Sequence, residues 1–318
     1  VTSSDLSGVL ALLKPVGPTS HDVVARVRRW LPGVTAGHLG TLDPAAAGVL
    51  LVAVGAATRA ARFLDPPDTR KTYKAWIVLG AVTDSDDAEG HVVRAPGAAG
   101  LTAERLAAAV AGRVGRHLQV PPARSAVRVA GRHAYARARA GEHVELAPRE
   151  VVVERGQVEA FEPPDARSQP MLARALVSCT VWRGAYVRAW ARDIGEDLGT
   201  GAYVRVLVRT TVGRVAGADA LTLEEAQSLA LAGRLHEALW PVDRLLVGWP
   251  VVSAAPDPLG REVGRGRPAP AGAPDGWVRL VDPAAKAGGA TAWALAEVVE
   301  RRFASVVRLG TATMEVSR

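Results

Sequence analysis

The sequence predicts an α+β molecule with a large N-terminal unit and a small C-terminal one. Three observations carry this expectation. Short apolar runs of strand type alternate with segments whose apolar residues recur at helical spacing. The chain has 318 residues, 48% of them apolar, enough for one large domain and a small one. Near Trp249-Pro250 the composition shifts to Pro, Gly and Ala, which reads as a boundary. Alternation by itself leaves a parallel and an antiparallel sheet equally open.

In chain order, Gly8 to Leu13 is a strand stopped by Lys14-Pro15-Val16-Gly17-Pro18. Thr19-Ser20 offers an N-cap, and Val23, Val24, Val27, Trp30 and Leu31 follow at helical spacing until Pro32-Gly33. A Gly-punctuated loop leads to Val49–Val54, an apolar run of buried-strand type, and Ala57 to Leu64 is a short helix. Thr72 to Leu79 is β-like. The acidic stretch Thr83 to Gly90 reads as a solvated turn, since Gly90 is misplaced for a calcium loop and no ligating Glu follows. Thr102 caps a helix to Val110, with Leu106 and Val110 on its apolar face. Val151 to Phe161 and Ala173 to Trp182 alternate as strands. Tyr186 to Leu198 is an amphipathic helix closed by Gly199-Thr200-Gly201, Tyr203 to Val208 a strand, and Leu223 to Leu231 a helix. Thr291 to Phe303 fits a helix by propensity and strands by its Trp, Val and Phe content. No internal repeat is present.

The formal net charge of +7 favours a polyanionic partner, and nucleic acid is the usual one. An Arg-rich overall bias would explain the total but not local clustering. The single cysteine, Cys179, lies in an apolar run and reads as a core residue; it forms no internal disulfide, and no Cys/His spacing suggests zinc. No signal-peptide pattern opens the sequence, and the apolar run at Val49 is far too short to span a bilayer. The expectation is a soluble cytoplasmic protein with no membrane partner.

Gly37-His38-Leu39-Gly40-Thr41-Leu42-Asp43-Pro44, followed by Ala45-Ala46-Ala47-Gly48-Val49-Leu50, sets one carboxylate in a loop between a helical segment and an apolar strand. Asp-Pro is also an N-cap with Pro at the first helical position. Only three residues separate Pro44 from Gly48, so a helix there would be barely one turn. The run resembles the active-site motif of the TruB family of tRNA pseudouridine synthases, G-H-x-G-[TA]-L-D-P-x-A-x-G-[VM]-L, with Leu39 where Thr is frequent. Three further blocks agree in order: Lys14-Pro15-x-Gly17 with Ser20 and Asp22; Lys71-Thr72-Tyr73-Lys74-Ala75; and Gly184-Ala185-Tyr186-Val187-Arg188, continuing through Asp193 to Gly199. Together they span most of Gly8 to Arg214.

The resemblance implies an α+β pseudouridine synthase fold, a mixed and mainly antiparallel sheet flanked by helices. It implies a catalytic domain over residues 1–248 and a β-rich RNA-binding module of PUA type over 249–318. The implied reaction breaks the N1–C1′ bond of a uridine, turns the base and rejoins it through C5. No redox change occurs and no group is transferred, so no cofactor and no metal are expected. Catalysis needs an ionised carboxylate as nucleophile or base. The resemblance implies Asp43 for this, with Arg188 as the cation that holds it ionised; read without the family, Arg188 is an ordinary exposed arginine of a helix first turn. Tyr73 matches the tyrosine that stacks on the flipped base, and Leu207 an apolar residue beside it. His38 matches a histidine that assists placement of the flipped nucleotide.

Between Arg113 and Arg139 lie seven arginines, among them Arg124, Arg128, Arg132 and Arg137, with His117, His133, Tyr135 and no acidic residue. Such unbalanced charge suits a phosphate partner. The resemblance places a tRNA-gripping insertion at about 113–139. Its pattern P-P-x-[YF]-S-A-x-K-x-x-G appears from Pro121 to Gly131, with Arg124 replacing an aromatic and Arg128 replacing Lys. The implied function is a monomer with no obligatory protein partner that acts on uridine 55 in the tRNA T-stem-loop. Two other readings stay open: a non-catalytic RNA-binding or tRNA-folding protein, and a guide-RNA-dependent synthase subunit of a larger assembly.

Overall fold

A computed structural model describes residues 6–125, 146–165, 167, 169–255, 263, 265–282 and 292–309, and the backbone of 128–129 and 132–133. Its strands are β1 (Ser7–Lys14), β2 (Ala36–Leu39), β3 (Ala46–Gly55), β4 (Arg70–Leu79), β5 (Val82–Thr83), β6 (Val92–Arg94), β7 (Gly115–Gln119), β8 (Arg128–Val129), β9 (Arg132–His133), β10 (Arg149–Glu162), β11 (Ala173–Trp182), β12 (Ala202–Val212), β13 (Val215–Ala216), β14 (Leu221–Thr222), β15 (Val251–Ser253), β16 (Gly276–Val281), β17 (Ala292–Val299) and β18 (Arg302–Arg308). The α-helices are α1 (Ser20–Trp30), α2 (Ala61–Leu64), α3 (Ala103–Gly112), α4 (Val187–Asp197) and α5 (Leu223–Leu231).

Ten strands form one mixed sheet in the order β14-β1-β3-β12-β4-β11-β10-β7, with β2 added to β3 and β13 to β12. Only β1–β14 and β3–β12 pair in parallel, so the sheet is mainly antiparallel, as the family resemblance implies. Thr19 starts α1 through a capping box: Asp22 N donates to Thr19 Oγ1 at 3.1 Å and Thr19 N to Asp22 Oδ2 at 2.8 Å. One face of the sheet packs α1, α3, α4 and α5 through Val23, Val27, Leu106, Trp190, Ile194 and Leu223. The other face carries Val9, Leu51 and Ala53, covered by Leu64, Leu246, Leu295 and Leu309. Because β3 is buried on both faces, its sequence is a continuous apolar run rather than an alternating one.

The last segment is β-rich. β15 to β18 form a separate four-stranded sheet, and β17 turns into β18 at Glu300-Arg301, both with positive φ. From Ala292 to Phe303 the segment is therefore strand, turn and strand, and its helical propensity is overridden by packing of Leu295 and Val298 into two cores. Two further readings are corrected. Ala36–Leu39, taken as loop, is a strand paired with β3. The acidic stretch is not a solvated turn: Ser85, Asp86 and Asp87 are buried, and Arg192 and Arg188 reach them from α4.

One feature of the sheet creates the site. β12 and β2 share the same edge of β3: β12 pairs with Ala46 to Gly48, and β2 with Leu51 to Val54. The two strands therefore part at the middle of β3, and the loop Gly40 to Ala45 lies at that fork. Gly48 makes the parallel pairing possible. Its φ is +112°, and a Cβ there would stand 2.1 Å from Arg209 O. Gly48→Ala is expected to cost more than ~2 kcal/mol, adding left-handed strain to a backbone clash. Urea denaturation checks this; a midpoint equal to the parent's would show that β3 and β12 can separate cheaply.

Candidate active site

The loop Gly40 to Ala45 is fixed from several elements at once. Ser20 Oγ of α1 accepts from Leu42 N and donates to Leu42 O, both at 2.9 Å. Gly17 N donates to Pro44 O at 2.9 Å, and Lys14 Nζ reaches Pro15, Pro18 and Pro44 carbonyls at 2.8, 2.9 and 3.3 Å. Arg209 of β12, 1% exposed, fills the fork: Nε donates to Val49 O at 2.8 Å, Nη1 to Thr41 O at 3.1 Å and Nη2 to Gly40 O at 3.2 Å. Gly40 rests against Lys71, where a Cβ would stand 2.5 Å from Nζ. Three buried cations thus hold the carbonyls or glycine of one short loop. Asp43 is not a helix cap: Ala46 N donates to Asp43 O in a turn, and β3 begins at once.

Arg188 stands opposite. It lies in the first turn of α4, which Gln119 anchors by accepting from Tyr186 N at 2.8 Å and donating to Tyr186 O at 3.2 Å. Arg188 is 4% exposed, which sets aside the reading of an ordinary surface arginine that its position alone would allow. Its Nε and Nη2 both meet Asp43 Oδ2, at 2.9 and 2.8 Å. Nη1 donates to Ser85 O at 2.8 Å and lies 3.4 Å from Asp87 Oδ2, while Nη2 also donates to Arg124 O at 2.9 Å. Burial disfavours its charge, but Asp43, Asp87 and Asp86 outweigh that and hold its pKa above the usual arginine value. With both guanidinium bonds on Oδ2, no protein hydrogen bond goes to Asp43 Oδ1 among the described residues, so that oxygen can meet a substrate. The Asp43 side chain keeps 33% of its surface.

Tyr73 and Leu207 complete this wall. β12 sets Leu207 opposite Ala46 on β3 and Ala75 on β4, and Arg209 opposite Tyr73. A cavity of about 390 Å³ is lined by Asp43, Arg188, Tyr73, Leu207 and His38. Burial pushes the Tyr73 hydroxyl above its usual pKa, so it stays protonated near neutral pH. Burial also lowers His38, with His21 and Arg209 adding to the effect. The His21 and His38 rings meet edge-on, centroids 5.0 Å apart. No group of three or more His, Cys, Asp or Glu among the described residues could hold a metal. No helix among them is long and apolar enough to cross a membrane.

Part of the basic segment is paired within the protein. Arg113 pairs with Asp197, Arg116 with Glu150 and Arg124 with Asp84, so these three are compensated within the protein. Sequence distance hid the partners. Arg128 and Arg132 fall on the β8–β9 hairpin backbone. Arg137 lies outside the described residues. Further residues that shape the cavity carry no distinct signal in the sequence. Lys14, Ser20 and Lys71 stood inside quoted motifs without a role. Arg209 fell one residue beyond the expected end of its strand. Asp87 reads as solvent-facing from its neighbours; the Ser-Asp-Asp pattern gives no sign of a buried arginine a hundred residues later.

Lys14 supplies a pH test. Burial pushes its ammonium down to about 8 from the ordinary 10.5, against the pull of Asp43. Below about 8 both folded and unfolded chains hold the proton, and the folded one bears the desolvation cost. Between about 8 and 10.5 only the unfolded chain holds it, so this group's contribution to stability rises with pH. The stability of the parent relative to Lys14→Met should therefore increase between pH 7.5 and 9.5 in parallel urea titrations. A constant gap would mean that Lys14 keeps its proton throughout.

A family model for the TruB family pseudouridylate synthase N-terminal domain matches residues 28–187. A second, for the tRNA pseudouridylate synthase B C-terminal domain, matches residues 188–247. The chain is 46% identical over 220 residues to "tRNA pseudouridine synthase B" of Arthrobacter sp. (strain FB24), covering 69% of this chain and 70% of that one. It is 44% identical over 247 residues to the protein of the same name from Thermobifida fusca (strain YX), covering 76% and 82%. Among solved structures, a Cbf5-Nop10-Gar1 complex aligns with a TM-score of 0.62 at 24% identity, over 96% of this chain and 84% of the matched one. That likeness bears on the fold alone.

Proposed function

The chain belongs to the TruB family of tRNA pseudouridine synthases, and on that premise we propose that it converts uridine 55 of the tRNA T-loop to pseudouridine. The observation that carries the site assignment is the Asp43 carboxylate, free on Oδ1 and paired with Arg188 on Oδ2, in a cavity walled by Tyr73 and Leu207. A uridine in a folded loop must be extruded to reach it, and flipped bases are commonly held by stacking. Tyr73 stacks on the base, Leu207 packs beside it, and His38 helps place the nucleotide. Asp43 then acts as nucleophile or base. The N1–C1′ bond breaks, the base turns, C1′ bonds C5, and the C5 proton is lost as N1 gains one. The atoms balance without a co-reactant.

Residues 1–248 form the catalytic unit in this reading. Its insertion at about 113–139 grips the T-stem-loop through Arg124, Arg128, Arg132 and Arg137, and residues 249–318 form a PUA-type RNA-binding unit. The enzyme works as a cytoplasmic monomer, without a guide RNA or an obligatory protein partner. The deciding experiment is pseudouridine formation in an unmodified tRNA transcript, mapped by position, with purified protein alone. Product at position 55 supports the reading. Tight binding without product would move the assignment to an RNA-binding protein or to a guide-dependent subunit.

Binding should depend on salt. If roughly 4–6 phosphates are neutralised, log affinity falls against log salt with a slope near 3–5. Reversing charge at Arg132 and Arg137 should lower that slope by about 1–2 while leaving thermal stability unchanged. A slope identical in variant and parent would remove these two residues from the interface.

A further inference from the structure

The cavity that holds Asp43 is also lined by charge for which the isomerisation has no use. There Lys71 and Arg183 share one carboxylate, Asp65. Lys71 Nζ lies 2.9 Å from Asp65 Oδ1. Arg183 Nε lies 3.5 Å from Oδ2, and its Nη1 donates to Asp65 O at 2.7 Å. The Lys71 and Asp65 side chains are each 8% exposed, whereas Arg183 keeps 51% and reaches in from the surface. All three line the cavity with His38; among the described residues neither the buried His38 Nδ1 nor Asp65 Oδ1 makes a hydrogen bond, so Lys71 meets Asp65 as an ion pair only.

Two cations against one carboxylate leave one positive charge uncompensated. A lysine ammonium has three N–H donors and a guanidinium five. Lys71 meets a single ion-pair partner, and Arg183 Nη2 makes no hydrogen bond among the described residues. Lys71 and Asp65 alone would be a self-contained buried pair; Arg183 adds a further charge at the cavity mouth. Donors left partly unused in a cavity are matched by a ligand that brings acceptors and negative charge. The loop bearing Asp43 runs directly over this cluster, since a Cβ on Gly40 would stand 3.2 Å from Asp65 Oδ2. A group bound there is one loop away from the reacting centre.

We propose that Lys71 and Arg183, tied together by Asp65 and flanked by His38, form a phosphodiester subsite for the backbone of the flipped nucleotide. The proposal rests on the uridine-flipping reading. Lys71 and Arg183 are positioning residues: they hold the sugar-phosphate while Tyr73 and Leu207 hold the base, so that the sugar between them faces Asp43.

A T-stem-loop RNA carrying one neutral methylphosphonate, either 5′ or 3′ of the target uridine, tests this against the parent enzyme and Arg183→Gln. Affinity and single-turnover rate are read together. For one of the two linkages, neutralisation should weaken the parent by about tenfold, the scale of one charge-assisted hydrogen bond. Arg183→Gln should lose about as much on native RNA and nothing further on that neutral linkage, and Arg183→Lys should recover part of the loss. Losses that multiply at both linkages, or an Arg183→Gln enzyme equal to the parent on native RNA, overturn the subsite. Parent enzyme on native RNA is the separate control. If it makes no pseudouridine, the uridine reading fails; if it makes product while the losses multiply, only the subsite fails.

Discussion

Asp43→Asn should bind tRNA within a few-fold of the parent and form product at least about 10³-fold more slowly. Arg188 holds the carboxylate on Oδ2, while Oδ1 accepts no hydrogen bond among the described residues and a third of the side chain stays open to the cavity. Asparagine keeps the size and an acceptor for Arg188 but removes the charge that a nucleophile or base requires, and such groups supply ~10²–10⁴-fold or more. The loop should keep its shape, because its tethers run to Leu42, Pro44, Thr41 and Gly40 backbone atoms rather than to the carboxylate. Filter binding and single-turnover product formation separate the two quantities. Turnover within tenfold of the parent would mean that the reacting carboxylate lies elsewhere.

Arg188→Met should be the most damaging single change to both stability and activity. Arg188 is the hub through which α4, the Asp43 loop and the acidic stretch meet. Removing it strands the buried Asp87 carboxylate and the Ser85 and Arg124 carbonyls. Breaking a buried charge network in this way costs about 3–5 kcal/mol, equivalent to a Tm lowered by roughly 10 °C in a domain of this size. Arg188→Lys separates the two roles. Lysine keeps the charge but cannot present two N–H bonds to Asp43 while a third reaches Ser85. That variant should fold with a smaller loss of Tm and still turn over at least about 100-fold more slowly, with tRNA affinity nearly unchanged. Calorimetry and single-turnover assays read the two effects. A Met variant that melts with the parent would show that Asp87 and its neighbours find water instead.

Much of this architecture is legible from local pattern. The starts of α1 and α3 follow from Thr19 and Thr102, whose side chains accept backbone N–H groups at the helix ends. The buried face of α4 follows from the spacing of Val187, Trp190, Ala191 and Ile194. His38 and Asp43 share one motif, but Tyr73, Arg188 and Leu207 come from distant stretches of the chain, and all five converge on one cavity. Motifs brought them to notice; no periodicity would have. What stayed hidden shares one physical cause. Ser85, Asp86 and Asp87 look hydrophilic, and their burial depends on Arg188 and Arg192, which only the docking of α4 delivers. Arg113, Arg116 and Arg124 look like unbalanced charge until Asp197, Glu150 and Asp84 arrive from other elements.

By itself the sequence determined the order and type of most elements and, through four motifs in register, the family and the candidate carboxylate. Only the tertiary structure decided that β2 and β12 divide one edge of β3, that Arg209 fills the fork they leave, and that Ala292 to Phe303 pairs as strands. It alone decided that Lys71 and Arg183 converge on Asp65. The division follows the range of the forces. Capping, turn chemistry and apolar periodicity act over a few residues and are written locally. Strand pairing and the burial of a charge depend on partners many tens of residues away, whose arrival no local pattern records.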